Sequence, residues 1–131
     1  MRERADWLEP AKNGIGMSRE QARRPEDLSR FFLERSNVGD VEGLVALYEP
    51  EARLALPGGD VAAGTEAIRR AYEQLLADRP TFTAGDQRRA LVNGDLALTS
   101  TRITAGATAE IARRQPDGTW LWMLDQPNIL S

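Results

Sequence analysis

Cysteine and histidine are both absent from the 131 residues, and lysine occurs once, at Lys12. The two zeros exclude a disulfide framework, a thiolate nucleophile and a Cys/His zinc site. They also exclude a Ser-His-Asp triad, a histidine general base and a histidine-ligated haem. Acid–base chemistry would fall to Asp, Glu, Tyr or Lys12, because every other basic residue is an arginine, which stays charged. Long apolar runs are lacking as well; none approaches the ~20 residues of a membrane span. The charged start Met1-Arg2-Glu3-Arg4-Ala5-Asp6 is followed by no apolar stretch of the secretory kind. The expectation is a cytoplasmic protein that engages no membrane. A basic block is missing too. With 17 basic and 20 acidic side chains and a net charge of -3, the chain is a poor nucleic-acid binder.

What is present fits one ordinary domain: 41% hydrophobic and 28% charged residues, with enough length for a single core. Residues 1–24 carry no steady period and read as an N-terminal appendage, floppy or lying on the surface of a domain that spans 25–131. Met17 is a possible alternative start within that stretch. A helix is expected from Pro25 to Val38, with Leu28, Phe31, Phe32 and Arg35 on one stripe. Asp40 caps a second helix, Val41 to Tyr48. Arg53-Leu54-Ala55-Leu56 reads as a short strand, and Thr65 to Ala77 as a third helix. The pattern then turns to strands: Phe82 to Val92, Leu96 to Thr104, Thr108 to Gln115 and Trp120 to Asp125, with Asn93-Gly94 as a hairpin turn. Helices first and antiparallel strands afterwards argue for an α+β fold.

The last two hairpins assign side chains to faces. Pro116-Asp117-Gly118 fits a three-residue loop with Gly118 left-handed, so Arg114 faces Trp120, Ala112 faces Trp122 and Glu110 faces Leu124. Arg114 could then stack on Trp120. A similar loop at Ala105-Gly106-Ala107 sets Arg102 opposite Glu110. One face carries Arg102, Glu110, Ala112, Arg114, Trp120, Trp122 and Leu124. The other carries Ile103, Ile111, Arg113, Leu121, Met123 and Asp125. Both are half apolar, whereas a small antiparallel sheet usually wets one face. Helices covering one face and a second copy covering the other predict a homodimer.

Several junctions, taken in order, resemble the nuclear transport factor 2-like superfamily in its SnoaL-like and ketosteroid-isomerase-like branch. They are Val38-Gly39-Asp40-Val41, Leu47-Tyr48-Glu49-Pro50-Glu51-Ala52, Leu56-Pro57-Gly58-Gly59, Gly64-Thr65-Glu66-Ala67-Ile68 and Arg113-Arg114-Gln115-Pro116-Asp117-Gly118-Thr119-Trp120. The resemblance implies three N-terminal helices packed in a curved, mainly antiparallel sheet (a cystatin-like cone). It also implies an apolar pocket at the open end and dimers through the outer sheet face. The isomerase branch uses a tyrosine on the first helix, an aspartate base before a Pro-x-Gly turn and a protonated aspartate on a later strand. Those positions fall on Phe32, Leu56 and Glu110, so two of the three roles lack their chemistry.

Two acids remain candidates for catalysis. Glu110 is either a pocket carboxylic acid or the partner of Arg102 in a cross-strand ion pair, as the hairpin count predicts. The resemblance to SnoaL-like cyclases, which place an acid in the pocket, implies Asp125 as the other candidate base; by parity it looks outward, as a strand-end cap or interface contact, unless a bulge intervenes. Phe32, Tyr48, Leu56, Tyr72, Trp120 and Trp122 are the candidate ligand-binding residues, for a small apolar or aromatic molecule, and equally candidates for plain core. The arginine pairs Arg69-Arg70, Arg88-Arg89 and Arg113-Arg114 read as solvated surface balanced by acids. Asp60, Glu66 and Glu73 have no spacing for a metal, and neither metal nor cofactor is expected. Isomerase- or cyclase-type chemistry and a non-catalytic binding or association role both stay open.

Overall fold

The computed structural model describes residues 19–130; the expectations for residues 1–18, Met17 included, lie outside the described residues. The described residues form helices α1 (Asp27–Asn37), α2 (Val41–Val45) and α3 (Thr65–Leu75) and nine strands. The strands are β1 (Tyr48–Ala55), β2 (Val61–Ala63), β3 (Asp86–Gln87), β4 (Leu91–Asn93), β5 (Leu96–Thr99), β6 (Thr101–Ile103), β7 (Gly106–Ala107), β8 (Ala109–Arg114) and β9 (Trp120–Gln126). Six of them make one sheet in the order β2-β1-β9-β8-β5-β4, and β3-β6-β7 make a smaller one. All pairings are antiparallel except β1 with β9. The architecture is the expected α+β fold, with three helices against a large curved sheet.

The helices form where the local chemistry calls for them. Leu28 and Phe31 of α1 are fully buried, and Arg35 completes the stripe although it is charged. Its guanidinium donates to the Gly43 carbonyl at 2.7 Å and the Glu20 carbonyl at 2.6 Å, and it lies 4.8 Å from the Phe31 ring centroid. Burial lowers its pKa without neutralising it. Asp40 caps α2 as expected, accepting the Gly43 N–H at 3.0 Å. Its other contact is the Arg19 guanidinium, which fixes the chain entering α1. Ala22, buried in that same segment, accepts the Trp120 N–H at 2.9 Å, so residues 19–24 run along the domain.

The second helix ends earlier than the periodicity indicates. Tyr48 already belongs to β1, where it pairs with Trp122. β2 was not foreseen; three residues between two glycine-bearing turns are too short to show a period. The long strand expected over 82–92 is two short ones, β3 and β4, separated at residues 88–90.

A break also divides the next two strands. The Ser100 hydroxyl donates to the Thr108 carbonyl at 2.7 Å, and Thr108 Oγ1 accepts the Thr101 N–H at 2.9 Å. Side chains thus replace ladder bonds where β5 passes into β6, and the β6–β7 hairpin leaves the main sheet there as part of the smaller one.

Register decides the faces, and it departs from the sequence count twice. The loop after β6 is Thr104-Ala105, with Ile103 opposite Gly106, and not Ala105-Gly106-Ala107. A two-residue loop in place of a three-residue one shifts the partner of Glu110 from Arg102 to Thr99. Arg102 is exposed and pairs across to Asp86 and Ala107, so the expected Arg102–Glu110 ion pair does not form. The β8–β9 hairpin begins as counted: Gly118 has φ 87° and Arg114 faces Trp120, Ala112 faces Trp122. One extra residue then enters β9 beside Ile111 and Ala112, so that Ile111 faces Leu124 and Glu110 faces Asp125. This bulge turns Leu124 out and Asp125 in. The expected outward Asp125 and inward Leu124 are therefore reversed. Arg114 bonds Asp95 at 2.6 Å instead of stacking on Trp120.

Both sheet faces end up as continuous rungs. Ala62, Leu54, Asp125, Glu110 and Thr99 follow one another across the inner face, all buried. One residue along each strand, Arg53, Leu124, Ile111, Leu98 and Leu91 cross the outer face. Leu91 is 71% exposed, Leu98 42% and Leu124 46%.

Candidate functional site

The inner rung carries two carboxyl groups into the core with no described basic residue beside them. Strand β9 delivers Asp125 because of its bulge, and β8 delivers Glu110 by simple alternation after Ala112. The Tyr48 hydroxyl, at the start of β1, donates to Asp125 Oδ2 at 2.5 Å. That hydroxyl lies 2.6 Å from the hydroxyl of Tyr72, which rises from α3. On the other side, Thr99 Oγ1 donates to Glu110 Oε1 at 2.6 Å and accepts from the Trp122 indole N–H at 3.3 Å. The polar cluster therefore spans four strands and a helix, and apolar side chains enclose it.

Burial dominates the electrostatics. Desolvation, then the negative charge of Glu110, pushes the Asp125 carboxyl up to about 7, against the opposing hydrogen bond from Tyr48. Glu110 is raised by burial, with the hydrogen bonds of Thr108 and Thr99 pulling the other way. Burial raises the Tyr48 and Tyr72 phenols well above their ordinary range, with Asp125 adding to it, so both stay protonated as donors. Two carboxyls opposed across one strand pair resist double ionisation. The pair therefore holds its last proton to a higher pH than a free carboxyl does.

The aromatic candidates gather unevenly. Ring centroids lead from Phe82 to Phe32 (6.0 Å), Tyr72 (6.3 Å), Tyr48 (6.1 Å) and Trp122 (5.5 Å). Tyr48, Tyr72 and Trp122 are core side chains, whereas Phe32 and Phe82 are half-buried against it. Leu56, just beyond β1, is also half-buried. Trp120 is buried at the other end of β9, under Ala22. Clefts of about 460 Å³ and 430 Å³ open on the surface, and none of these residues lines either one. Sequence reasoning missed Thr99, Thr108 and Phe82. Thr99 was hidden because its partner depends on the hairpin register. Phe82 is held by Asn37, whose side chain accepts its N–H at 2.7 Å and donates to its carbonyl at 3.0 Å across 45 residues.

The arginine pairs behave as surface. Arg69 bonds Glu42 and Glu66, Arg88 bonds Asp86, and Arg113 bonds Glu49. Among the described residues no group of three or more acids is placed to hold a metal ion, and no helix is long and apolar enough to cross a membrane.

Three helices against a curved sheet, with acids brought inside by its strands, define a protein of the nuclear transport factor 2-like class. Within that class the chain belongs to the SnoaL-like domain family, whose pattern matches residues 28–127. Solved structures agree on the fold. A ketosteroid isomerase-like protein from Erwinia carotovora atroseptica superposes with a TM-score of 0.61 at 19% identity, covering 76% of this chain and 88% of that one. An NTF2-like protein with a cystatin-like fold from Novosphingobium aromaticivorans gives 0.57 at 24% identity, covering 76% and 75%. A Nostoc punctiforme protein of unknown function with a cystatin-like fold gives 0.60 at 22%, covering 77% and 84%. No functionally curated protein matches the chain.

Proposed function

We propose that the chain binds a small apolar or aromatic molecule in the cone and moves a proton on it with Asp125, with Glu110 as the second carboxyl. The observation that carries this reading is the Tyr48–Asp125–Glu110–Thr99 cluster, buried without a described cation. A carboxyl pushed up to about 7 is divided between acid and base at neutral pH, the condition in which one group can take a proton from one atom and return it to another. Tyr48 and Tyr72, both protonated, orient the carboxyl: Tyr48 donates to Asp125, and Tyr72 donates to Tyr48. Half-buried Phe32, Leu56 and Phe82 offer the apolar contact surface. Isomerisation, cyclisation and hydration are the classes such a site serves.

A second reading is a non-catalytic ligand-binding or association domain. It is favoured by Phe32 and Leu56 standing where the isomerase branch carries its tyrosine and its base. In both readings a second copy covers the outer rung. Support comes from the exposed Leu91, Leu96, Leu98 and Leu124. Nearby Arg113 and Arg114 are already neutralised by Glu49 and Asp95, which limits repulsion between like faces. A cytoplasmic setting fits this reading.

The test is thermal shift against a panel of steroids, polyketides and aromatic acids, followed by turnover assays on the binders. Asp125→Asn and Glu110→Gln should retain binding and lose turnover. Turnover that survives in both variants ends the catalytic reading; a panel without any binder ends the binding reading as well.

A further inference from the structure

The cleft of about 460 Å³ lies away from the carboxyl cluster, between the C-terminal ends of α1 and α3 and the segment that follows α3. Its size is that of a small-molecule site. Arg79 supplies its one charged lining residue. Arg79 also has φ 51°, and no other described non-glycine residue has a positive φ. A side chain in that backbone conformation is strained, and such outliers persist where the position matters. No described acid pairs with its exposed guanidinium; the same holds for Arg23, Arg53, Arg70, Arg89 and Arg102, and of these six Arg79 is the one that lines this cleft.

A second lining residue is left unpaired from the opposite wall. Ser36 is 2% exposed, and its hydroxyl is the buried side-chain polar atom that finds no hydrogen-bond partner among the described residues. Buried hydroxyls are normally satisfied, so an orphan beside a cleft is a donor awaiting an acceptor. Val38, 78% exposed, together with Leu76 and Pro80, gives the cleft apolar lining. Asn37 is committed to the Phe82 backbone. The helix ends would by themselves repel an anion. Two carbonyls at each end are covered, however: Ser36 O by the Gly39 N–H, Arg35 O by the Asp40 N–H, Leu76 O by the Arg79 N–H and Gln74 O by the Ala77 N–H.

We infer that this cleft binds a small apolar carboxylic acid, its carboxylate on Arg79 and the Ser36 hydroxyl and its hydrocarbon body against Val38, Leu76 and Pro80. An arginine fork matches a carboxylate, and one cation suits one negative charge. The inference does not rest on the carboxyl cluster, none of whose residues lines the cleft.

Isothermal titration of the full chain with 4-phenylbutanoate and decanoate, and with the alcohol and amine of each skeleton, tests it. The acids should bind at least about tenfold more tightly than the alcohols, since a hydrogen bond to a charged group carries that much discrimination. Arg79→Gly relieves the backbone strain, so it should fold as well as the parent and lose the preference for acid over alcohol. Arg79→Gln should lose it also, and Ser36→Ala should weaken acid binding a few-fold. Asp125→Asn should leave acid binding unchanged, which separates this site from the interior one. Equal binding of acid and alcohol, tighter binding of the amine, no binding of the acids, or full acid preference in both Arg79 variants would overturn it.

Discussion

Asp125 and Glu110 stand opposite each other across β9 and β8 and both point into the core, although the alternation counted back from Gly118 places them on opposite faces. One extra residue in β9 makes the difference. The pair is buried without a described cation beside it, and its protonation couples to folding.

Stability should fall as pH rises from about 4 to 7. Asp125 titrates near 4 when unfolded and about 7 when folded, so across that window the native state holds the extra proton. Its stabilisation is present below that range and lost as pH climbs through it, on the order of 4 kcal/mol at most. Asp125→Asn should flatten this limb in chemical denaturation series. Below about 4 the sign reverses, because Asp40, Glu42 and Glu49 have lowered pKa values and lose their arginine partners on protonation.

Tyr48→Phe removes the one hydrogen bond that opposes the rise of the Asp125 pKa. The carboxyl should titrate higher still, by about one unit, as followed by carbon NMR of the labelled aspartate. Stability at pH 7 should drop by about 1–3 kcal/mol, because the Tyr72 hydroxyl and the carboxyl both lose a buried partner. An unchanged Asp125 titration would mean that the short contact does not persist in solution.

Leu98→Glu places a charge in the middle of the outer rung without touching the inner face. The proposed pairing of two copies through this face should be lost in sedimentation or light scattering while the helical signal in circular dichroism stays. If the parent chain sediments as a monomer at micromolar concentration, the second-copy cover for this face is wrong.

Gly43→Ala should cost about 1–3 kcal/mol and weaken the hold on residues 19–24. A methyl group there would sit 2.1 Å from Asp40 Oδ2 and 2.8 Å from Arg19 Nε, where the cap and the ion pair meet. Urea denaturation measures the loss, and faster amide exchange around Ala22 locates it.

Much of the fold was legible in the sequence because its signals are local. The α1 stripe of Leu28 and Phe31, the Asp40 cap and the Gly118 turn depend on neighbours within a few residues, and each formed as read. The family junctions added the order of elements. Residue type and spacing offer Tyr48, Tyr72 and Trp122 as cavity lining or core, and the family resemblance singles out Glu110 and Asp125 as candidate acids. Which of them touch depends on register, and register depends on two small events that leave no mark in composition: a two-residue loop at Thr104-Ala105 and one inserted residue in β9.

The sequence alone settled what chemistry is excluded, since no folding supplies a missing thiol or imidazole. It also settled the α+β order, because periods of 3.6 and 2 are written into the chain. Tertiary structure alone decided that Glu110 meets Thr99 and not Arg102, and that Asp125 is enclosed beside Tyr48. A side-chain period of two makes every strand face hostage to a single residue of slip, and only pairing across strands counts that residue.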